Sequence, residues 1–97
     1  MTKVTISKDH IEIKGHAMYD VHGRDIVCAS ISCIVITSVN GILSIDESYL
    51  KYSNKSGYIS IDILKHDKIV DRLIDNMINL LKELSDQYKK NIQIKEV

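Results

Sequence analysis

The sequence predicts an α+β domain, a two-layer sandwich in which two helices cover one face of a mainly antiparallel sheet, in the order ββαββαβ. Three observations predict this fold. Short stretches of alternating apolar and polar residues occur near both ends and in the middle of the chain, as in half-buried strands. A long uncharged run separates two pairs of these stretches, and a segment with apolar residues at helical spacing precedes the last one. Hairpins combined with helices favour an α+β architecture.

The size and charge of the chain limit its organisation and its partners. Its 97 residues are expected to form one domain, 1–97. Thirteen basic residues balance thirteen acidic ones, which disfavours direct nucleic-acid binding. The first residues lack the apolar block of a signal peptide, and the two cysteines are poorly placed for a disulfide. These observations predict a cytoplasmic protein.

The first two strands are predicted to form a hairpin around a Lys8-Asp9 turn. The apolar residues that alternate with polar ones here are Val4, Ile6, Ile11 and Ile13. The same alternation predicts that Gly15 faces the core, where its missing side chain lets a helix pack close to the sheet. Since this parity sends His16 to the opposite face, we expect the strand to bend at Gly15.

The first helix is predicted to begin at Ile26. Asp25 is a favourable N-cap, because its carboxylate accepts hydrogen bonds from the amides of the first turn. The uncharged run reaches Ile45 and is long enough to span a bilayer. Its many hydroxyl, amide and glycine residues instead favour a packed, largely buried helix, with no membrane partner. Asn40-Gly41 predicts the end of this helix, since both residues tolerate left-handed backbone angles.

The second half of the chain predicts another hairpin, a helix and a last strand. The hairpin strands are expected at 49–53 and 58–64, with Gly57 in the turn. Apolar residues recur at helical spacing through 67–88. Alternation resumes at 92–95, which predicts the fifth strand.

Cys28 is the candidate nucleophile. It falls on the first turn of the predicted helix, where amide hydrogens and the helix dipole favour a thiolate. The amides of the same turn are expected to stabilise an oxyanion, and Ser32 lies one turn later on the same face. The alternative is that Cys28 is a small buried apolar side chain, as free cysteines often are. Cys33 lies about 140° around the helix from Cys28 and is predicted to lie in the core.

His16 is the candidate base, because an imidazole that is neutral near pH 7 accepts the proton of a thiol. His22, in the loop before the helix, is its rival. Asp25 has two possible roles, helix capping alone or orientation of His16 as well. Capping is favoured, because a carboxylate beside Cys28 opposes thiolate formation.

A metal site is the other use that these side chains suggest. Its ligands would come from His10, His16, His22, Cys28 and Cys33. Zinc motifs usually contain closely spaced pairs such as C-x-x-C, which this sequence lacks, so neither a metal nor another cofactor is predicted. His10 and His66 lie at predicted turns, where we expect them to be exposed.

One pattern in the sequence resembles the ribosomal-processing cysteine protease family (Prp) over nearly the whole length and order of elements. The pattern is Gly15-His16-Ala17, Gly23, Asp25-Ile26-Val27-Cys28-Ala29, Ser32 and Asn40. The resemblance implies an endopeptidase that removes the N-terminal extension of a large-subunit bacterial ribosomal protein. It implies a catalytic dyad of Cys28 and His16. The residues expected to support the dyad or bind substrate are Asp25, Ser32, Gly15, Ala17 and Gly23.

The resemblance also implies a homodimer and a flexible loop, residues 17–23, that closes over the substrate. The alternative function is a non-catalytic, ribosome-associated protein whose apolar helix and loop bind a peptide. Rapid alkylation of Cys28 favours the enzyme, whereas an inert Cys28 favours the binding protein.

Overall fold

A computed structural model, which describes residues 1–21 and 23–97, contains five strands and two long helices in the predicted order ββαββαβ. The strands are β1 (Thr2–Ile6), β2 (His10–Lys14), β3 (Leu50–Lys55), β4 (Tyr58–Ile63) and β5 (Ile92–Glu96). The helices are α1 (Ile26–Ile45) and α2 (Lys68–Gln87), and a 3-10 turn, Glu47–Tyr49, precedes β3.

The five strands form one sheet in the order β3-β4-β2-β1-β5. The β1–β2 hairpin is antiparallel, with Val4 opposite Ile13, and β4 pairs antiparallel with both β2 and β3. Only β1 and β5, the first and last strands of the described chain, run parallel. The prediction of a mainly antiparallel sheet is confirmed.

The core lies between one face of the sheet and the two helices, which confirms the two-layer sandwich. Alternation along each strand places its apolar side chains on this face. The buried strand residues are Val4, Ile6, Ile11, Ile13, Leu50, Ile59, Ile61, Ile63 and Ile92. The helices contribute one buried stripe each, Val27, Ile31, Val35, Val39 and Ile42 from α1 and Val70, Ile74, Met77 and Leu81 from α2.

α1 is less buried than the sequence predicts. It is long and apolar enough to span a membrane by length and composition, and 28% of its most apolar 18-residue window is buried. The prediction of a largely buried helix is therefore wrong, because the sheet and α2 cover one side of α1 only. Cys33, predicted in the core, is exposed. It lies about 200° around the helix axis from the buried Ile31 and Val35.

Asn40-Gly41 does not end α1, which continues to Ile45. The buried residues Val39 and Ile42 flank this pair, and their packing keeps the backbone helical, as tertiary contacts commonly do for weak helix formers. The helix ends at Asp46, whose backbone N–H donates to the carbonyl of Ile42.

Two histidines that the sequence places at exposed turns have acidic partners. His10 is half-buried, and its Nδ1 lies 2.7 Å from Asp62 Oδ1. His66 is exposed, as predicted, and its two ring nitrogens each lie 2.6 Å from an aspartate, Asp9 and Asp71. The side chain of His10 is 39% exposed and that of His66 is 33% exposed, in keeping with the prediction, and the pairing of β2 with β4 brings Asp62 opposite His10.

Candidate active site

A cavity of about 520 Å³ opens where the end of β2, the loop after it, the start of α1 and the β3–β4 turn meet. His16 and Cys28 both line this cavity. The other predicted site residues in its wall are Gly15, Gly23, Asp25 and Ser32. Ala17 is only 1% exposed and is not among the residues that line the cavity. His22, the rival base, lies outside the described residues.

Two glycines position His16. β2 ends at Lys14, and the expected bend follows at Gly15, whose φ of +88° is a left-handed conformation that few other residues adopt. The N–H of Gly15 donates to the carbonyl of Gly57 in the β3–β4 turn, at 2.9 Å. A Cβ added to Gly57 would lie 3.1 Å from His16 Nε2, so the imidazole packs directly against this turn.

Gly15 does not face a helix, as the sequence predicts, but is exposed. A Cβ at this position would lie 2.7 Å from the carbonyl oxygen of Met1. The close approach that requires a glycine here is therefore to the start of β1. The left-handed backbone angle turns the chain out of the alternation of β2, which is why the predicted parity fails at this residue.

Cys28 is the third residue of α1 and is half-buried. Its sulfur accepts a hydrogen bond from the backbone N–H of Ala17 at 3.2 Å. The peptide group that follows His16 is thus in direct contact with the thiol. This contact joins the end of β2, which carries the candidate base, to the first turn of α1, which carries the candidate nucleophile.

Asp25 is the N-cap of α1, as predicted. Its Oδ1 accepts hydrogen bonds from the backbone N–H groups of Val27 and Cys28, both at 3.0 Å. Its Oδ2 accepts from the N–H groups of Tyr19 at 2.9 Å and Asp20 at 3.4 Å. Asp25 therefore fastens the loop after His16 to the first turn of α1.

Burial raises the pKa of Asp25, but the four backbone amides that donate to its carboxylate outweigh burial and lower this pKa below its ordinary value. Asp25 is consequently charged at neutral pH. The Val27 and Cys28 amides, which the sequence predicts to hold an oxyanion, donate to the capping carboxylate of Asp25 in this structure. The amide of Ala29 is also occupied, since it donates to the carbonyl of Asp25.

Sequence reasoning missed two contacts from the end of the chain. The side-chain Nδ2 of Asn91 donates to the carbonyl of Ala17 at 2.9 Å. The ring of Tyr88 meets that of Tyr19 edge-on, with centroids 5.4 Å apart. No local pattern signals either contact, because the partners are about seventy positions apart and meet only when β5 pairs with β1.

The same limitation applies to Gly57, which the sequence identified as a turn residue but not as the surface against which His16 packs.

Among residues 1–21 and 23–97, no group of three or more His, Cys, Asp or Glu side chains is arranged to hold a metal ion.

Comparison with known proteins gives consistent matches over nearly the whole chain. Residues 1–93 match a family model described as cysteine protease Prp. A Bacillus subtilis protein named ribosomal processing cysteine protease Prp is 30% identical, with 97% of this chain and 96% of that protein aligned. A Staphylococcus aureus protein of the same name is 26% identical over 82% of this chain and 78% of its own length.

Solved structures agree with these matches at the level of the fold. A crystal structure described as the essential ribosomal processing protease Prp from S. aureus, with a covalently linked product peptide, superposes with a TM-score of 0.94. The alignment covers 100% of both chains at 23% sequence identity. The matched structure therefore has the same α+β fold, and the match includes every helix and strand described above.

Proposed function

The chain belongs to the cysteine protease Prp family and is a cysteine protease, and we propose that it removes the N-terminal extension of a large-subunit ribosomal protein with a dyad of Cys28 and His16. One observation carries the assignment of the dyad. Both side chains line one cavity, and the amide that follows His16 contacts the Cys28 sulfur at 3.2 Å. The substrate class is supported by the relatives, which are named as ribosomal processing proteases.

In the first half of the reaction, His16 takes the thiol proton and Cys28 Sγ attacks the carbonyl carbon of the scissile peptide bond. The carbonyl π electrons move to the oxygen, which becomes an oxyanion. When the tetrahedral intermediate collapses, the C–N bond breaks, and the leaving amine takes the proton from His16. A thioester between Cys28 and the amino-terminal fragment remains.

In the second half, His16 removes a proton from a water molecule, which attacks the thioester carbon. Collapse of this second intermediate breaks the C–S bond and releases the fragment as a carboxylic acid. The proton on His16 returns to the Cys28 sulfur. The enzyme is then in its starting state, and none of these steps uses a metal ion or an oxidant.

The cavity supports an apolar peptide as substrate. Its volume of about 520 Å³ lies within the range of about 300–1,000 Å³ that is common for ligand sites. Ile13, Ile31 and Ile59 line its interior, and the polar β3–β4 turn borders it. We infer that side chains beside the scissile bond enter this apolar interior while the backbone of the peptide stays near the turn.

The dyad is tested with the extended ribosomal protein from the same genome as substrate. We expect the wild-type enzyme to make a single cut near the N-terminus of that protein, detected by mass spectrometry. Cys28→Ser and His16→Ala should each slow cleavage by about a thousandfold or more, because each removes one member of a nucleophile–base pair. Cys33→Ser, which changes the exposed thiol on α1, is the matched control and should cleave normally.

Cleavage at the wild-type rate by Cys28→Ser or His16→Ala would contradict the dyad. A wild-type protein that binds the extended substrate without cutting it, and a Cys28→Ser variant that binds equally well, would contradict processing of this substrate. Such a result would instead support the alternative of a peptide-binding protein.

We also propose that two copies of the chain form a homodimer through the exposed face of α1. The residues of this face are Ile26, Ala29, Cys33, Ile36, Asn40 and Ser44. Helix α1 contains no charged residue, and the side chain of Ile26 at its start is 53% exposed. Burying such a surface against a second copy is favourable, at roughly 25 cal/mol per Å² of apolar area.

A further inference from the structure

Ala17 is fixed at both polar groups of its backbone. Its N–H donates to Cys28 Sγ at 3.2 Å, and its carbonyl accepts from Asn91 Nδ2 at 2.9 Å. The residue itself is 1% exposed, so packing also restricts it. A side chain from the end of the chain therefore determines how the backbone beside His16 faces the thiol.

Asn91 is itself anchored by its backbone. Its N–H donates to the carbonyl of Tyr88 at 2.9 Å, and its carbonyl accepts from the N–H of Thr2 at 2.9 Å. The Tyr88 ring packs edge-on against Tyr19, two residues beyond Ala17. The connection between α2 and β5 thus contacts the loop after His16 at two points and is tied to β1, which leaves the Asn91 amide group with little freedom to move.

The Ala17 amide is placed where negative charge develops during the reaction. In the tetrahedral intermediate, the oxyanion and the Cys28 sulfur are bonded to the same carbon, so a donor that contacts the sulfur is within reach of an oxyanion formed on its side of the thiol. The amides of Val27 and Cys28 already donate to Asp25 Oδ1. Among the described hydrogen bonds, the Ala17 N–H is the backbone donor that reaches the sulfur.

We propose that the Ala17 amide stabilises the oxyanion and that Asn91 is the positioning residue that holds this amide in place. As the C–S bond forms and the carbonyl π electrons move to oxygen, the Ala17 N–H transfers its hydrogen bond from Sγ to that oxygen. When the C–N bond breaks, the electron pair returns to form the carbonyl and the amine takes the proton from His16. This proposal rests on the proposed role of Cys28 as nucleophile.

Two substitutions test the role of Asn91. Asn91→Asp keeps the size of the side chain but removes the N–H donor to Ala17, and Asn91→Ala removes the whole group. We expect kcat per active site to fall by between about tenfold and about a hundredfold, because the oxyanion donor is displaced rather than deleted. KM should change by less than about twofold, since the substrate oxygen carries little charge before attack.

A peptide aldehyde that ends at the mapped cleavage site supplies the readout that a purely structural role would not change. Its hemithioacetal with Cys28 places an oxygen at the oxyanion position, so its affinity should weaken by the same factor as kcat. Active sites are counted as the folded fraction of each variant, measured by circular dichroism and size-exclusion chromatography, because iodoacetamide would also alkylate the thiol of an unfolded chain. Asn76→Asp, the same change on the exposed surface of α2, is the control and should leave both quantities unchanged.

Three outcomes would overturn the proposal. The first is a kcat per active site within about twofold of wild type in both Asn91 variants. The second is a loss of kcat without a matching loss of aldehyde affinity, which indicates that Asn91 supports the fold and not the oxyanion donor. The third is failure of the wild type to cleave, which overturns the proposed function and this proposal with it, whereas the first two overturn this proposal alone.

Discussion

Asp25 divides its two carboxylate oxygens between two parts of the chain. Oδ1 accepts from the first turn of α1, and Oδ2 accepts from the backbone of Tyr19 and Asp20 in the preceding loop. An uncharged cap with one acceptor oxygen would satisfy the helix but not the loop. The second carboxylate oxygen of Asp25 therefore serves the loop beside His16, whereas the first caps the helix.

Asparagine at this position separates the two roles. Asp25→Asn retains an oxygen that caps α1, but its NH₂ group would face the N–H groups of Tyr19 and Asp20, two donors without an acceptor. We expect the free energy of unfolding to fall by about 1 kcal/mol, since two donors lose their acceptor while the helix keeps its cap, and the cleavage rate to fall about tenfold. Asp25→Ala loses both functions, and its free energy of unfolding should fall by about 1–2 kcal/mol.

Asp67→Asn makes the same change at the N-cap of α2, outside the residues that line the cavity, and should cleave at the wild-type rate. Equal cleavage rates for wild type and Asp25→Asn would show that the second carboxylate oxygen has no part in the site.

At the scale of single residues, the sequence predicted the site residues whose roles depend on their neighbours within one helical turn. Cys28 was predicted from its place in the first turn of a helix, and Asp25 from its place as a cap, because both depend on residues within one turn. Asn91 and Gly57 were not predicted as site residues. Their contacts with Ala17 and His16 exist only through the pairing of distant strands, which no short pattern encodes.

At the scale of the elements, His66 joins the β1–β2 turn to the first turn of α2. Its Nδ1 faces Asp71 and its Nε2 faces Asp9, each at 2.6 Å. The hydrogen bond with Asp71, followed by that with Asp9, raises the pKa of His66 above its ordinary value. Protonated His66 therefore holds together two segments that are far apart in the sequence.

This arrangement predicts a stability that depends on pH. Because the folded pKa of His66 is raised, its contribution is fully present below its unfolded pKa of about 6.5 and is lost as the pH rises through the folded pKa. We expect the thermal midpoint of wild type to exceed that of His66→Gln most at about pH 5.5, with the difference shrinking towards about pH 9. A difference that does not vary over this range would contradict the role of His66.

The two helices differ in how well the sequence predicts them. In α2 the apolar stripe at helical spacing coincides with the buried residues Val70, Ile74, Met77 and Leu81, since only one face meets the sheet. In α1 apolar residues occupy both faces, so periodicity did not distinguish the buried side from the exposed one. The misplacement of Cys33 in the core follows from this lack of pattern, whereas the helix stop expected at Asn40-Gly41 failed because the packing of Val39 and Ile42 keeps the backbone helical.

At the scale of the whole molecule, the uncharged face of α1 is the surface through which we propose that two copies pair. Ile36→Lys places a charge at its centre and should weaken self-association by at least about tenfold, measured by sedimentation velocity over a range of concentrations. Ile69→Lys, at a position on α2 that is 55% exposed, is the matched control and should associate as wild type does. A wild-type protein that sediments as a monomer at high concentration would contradict the dimer.

The parallel pairing of β1 with β5 has a consequence for the order in which the enzyme becomes competent during its own synthesis. His16 and Cys28 leave the ribosome before Asn91 and β5, which are made later. Until β5 emerges, β1 has an open edge and the Ala17 carbonyl lacks its partner. A nascent chain of this protein would thus carry its thiol without the backbone geometry that aims it, so proteolytic activity would begin only after translation of the last strand.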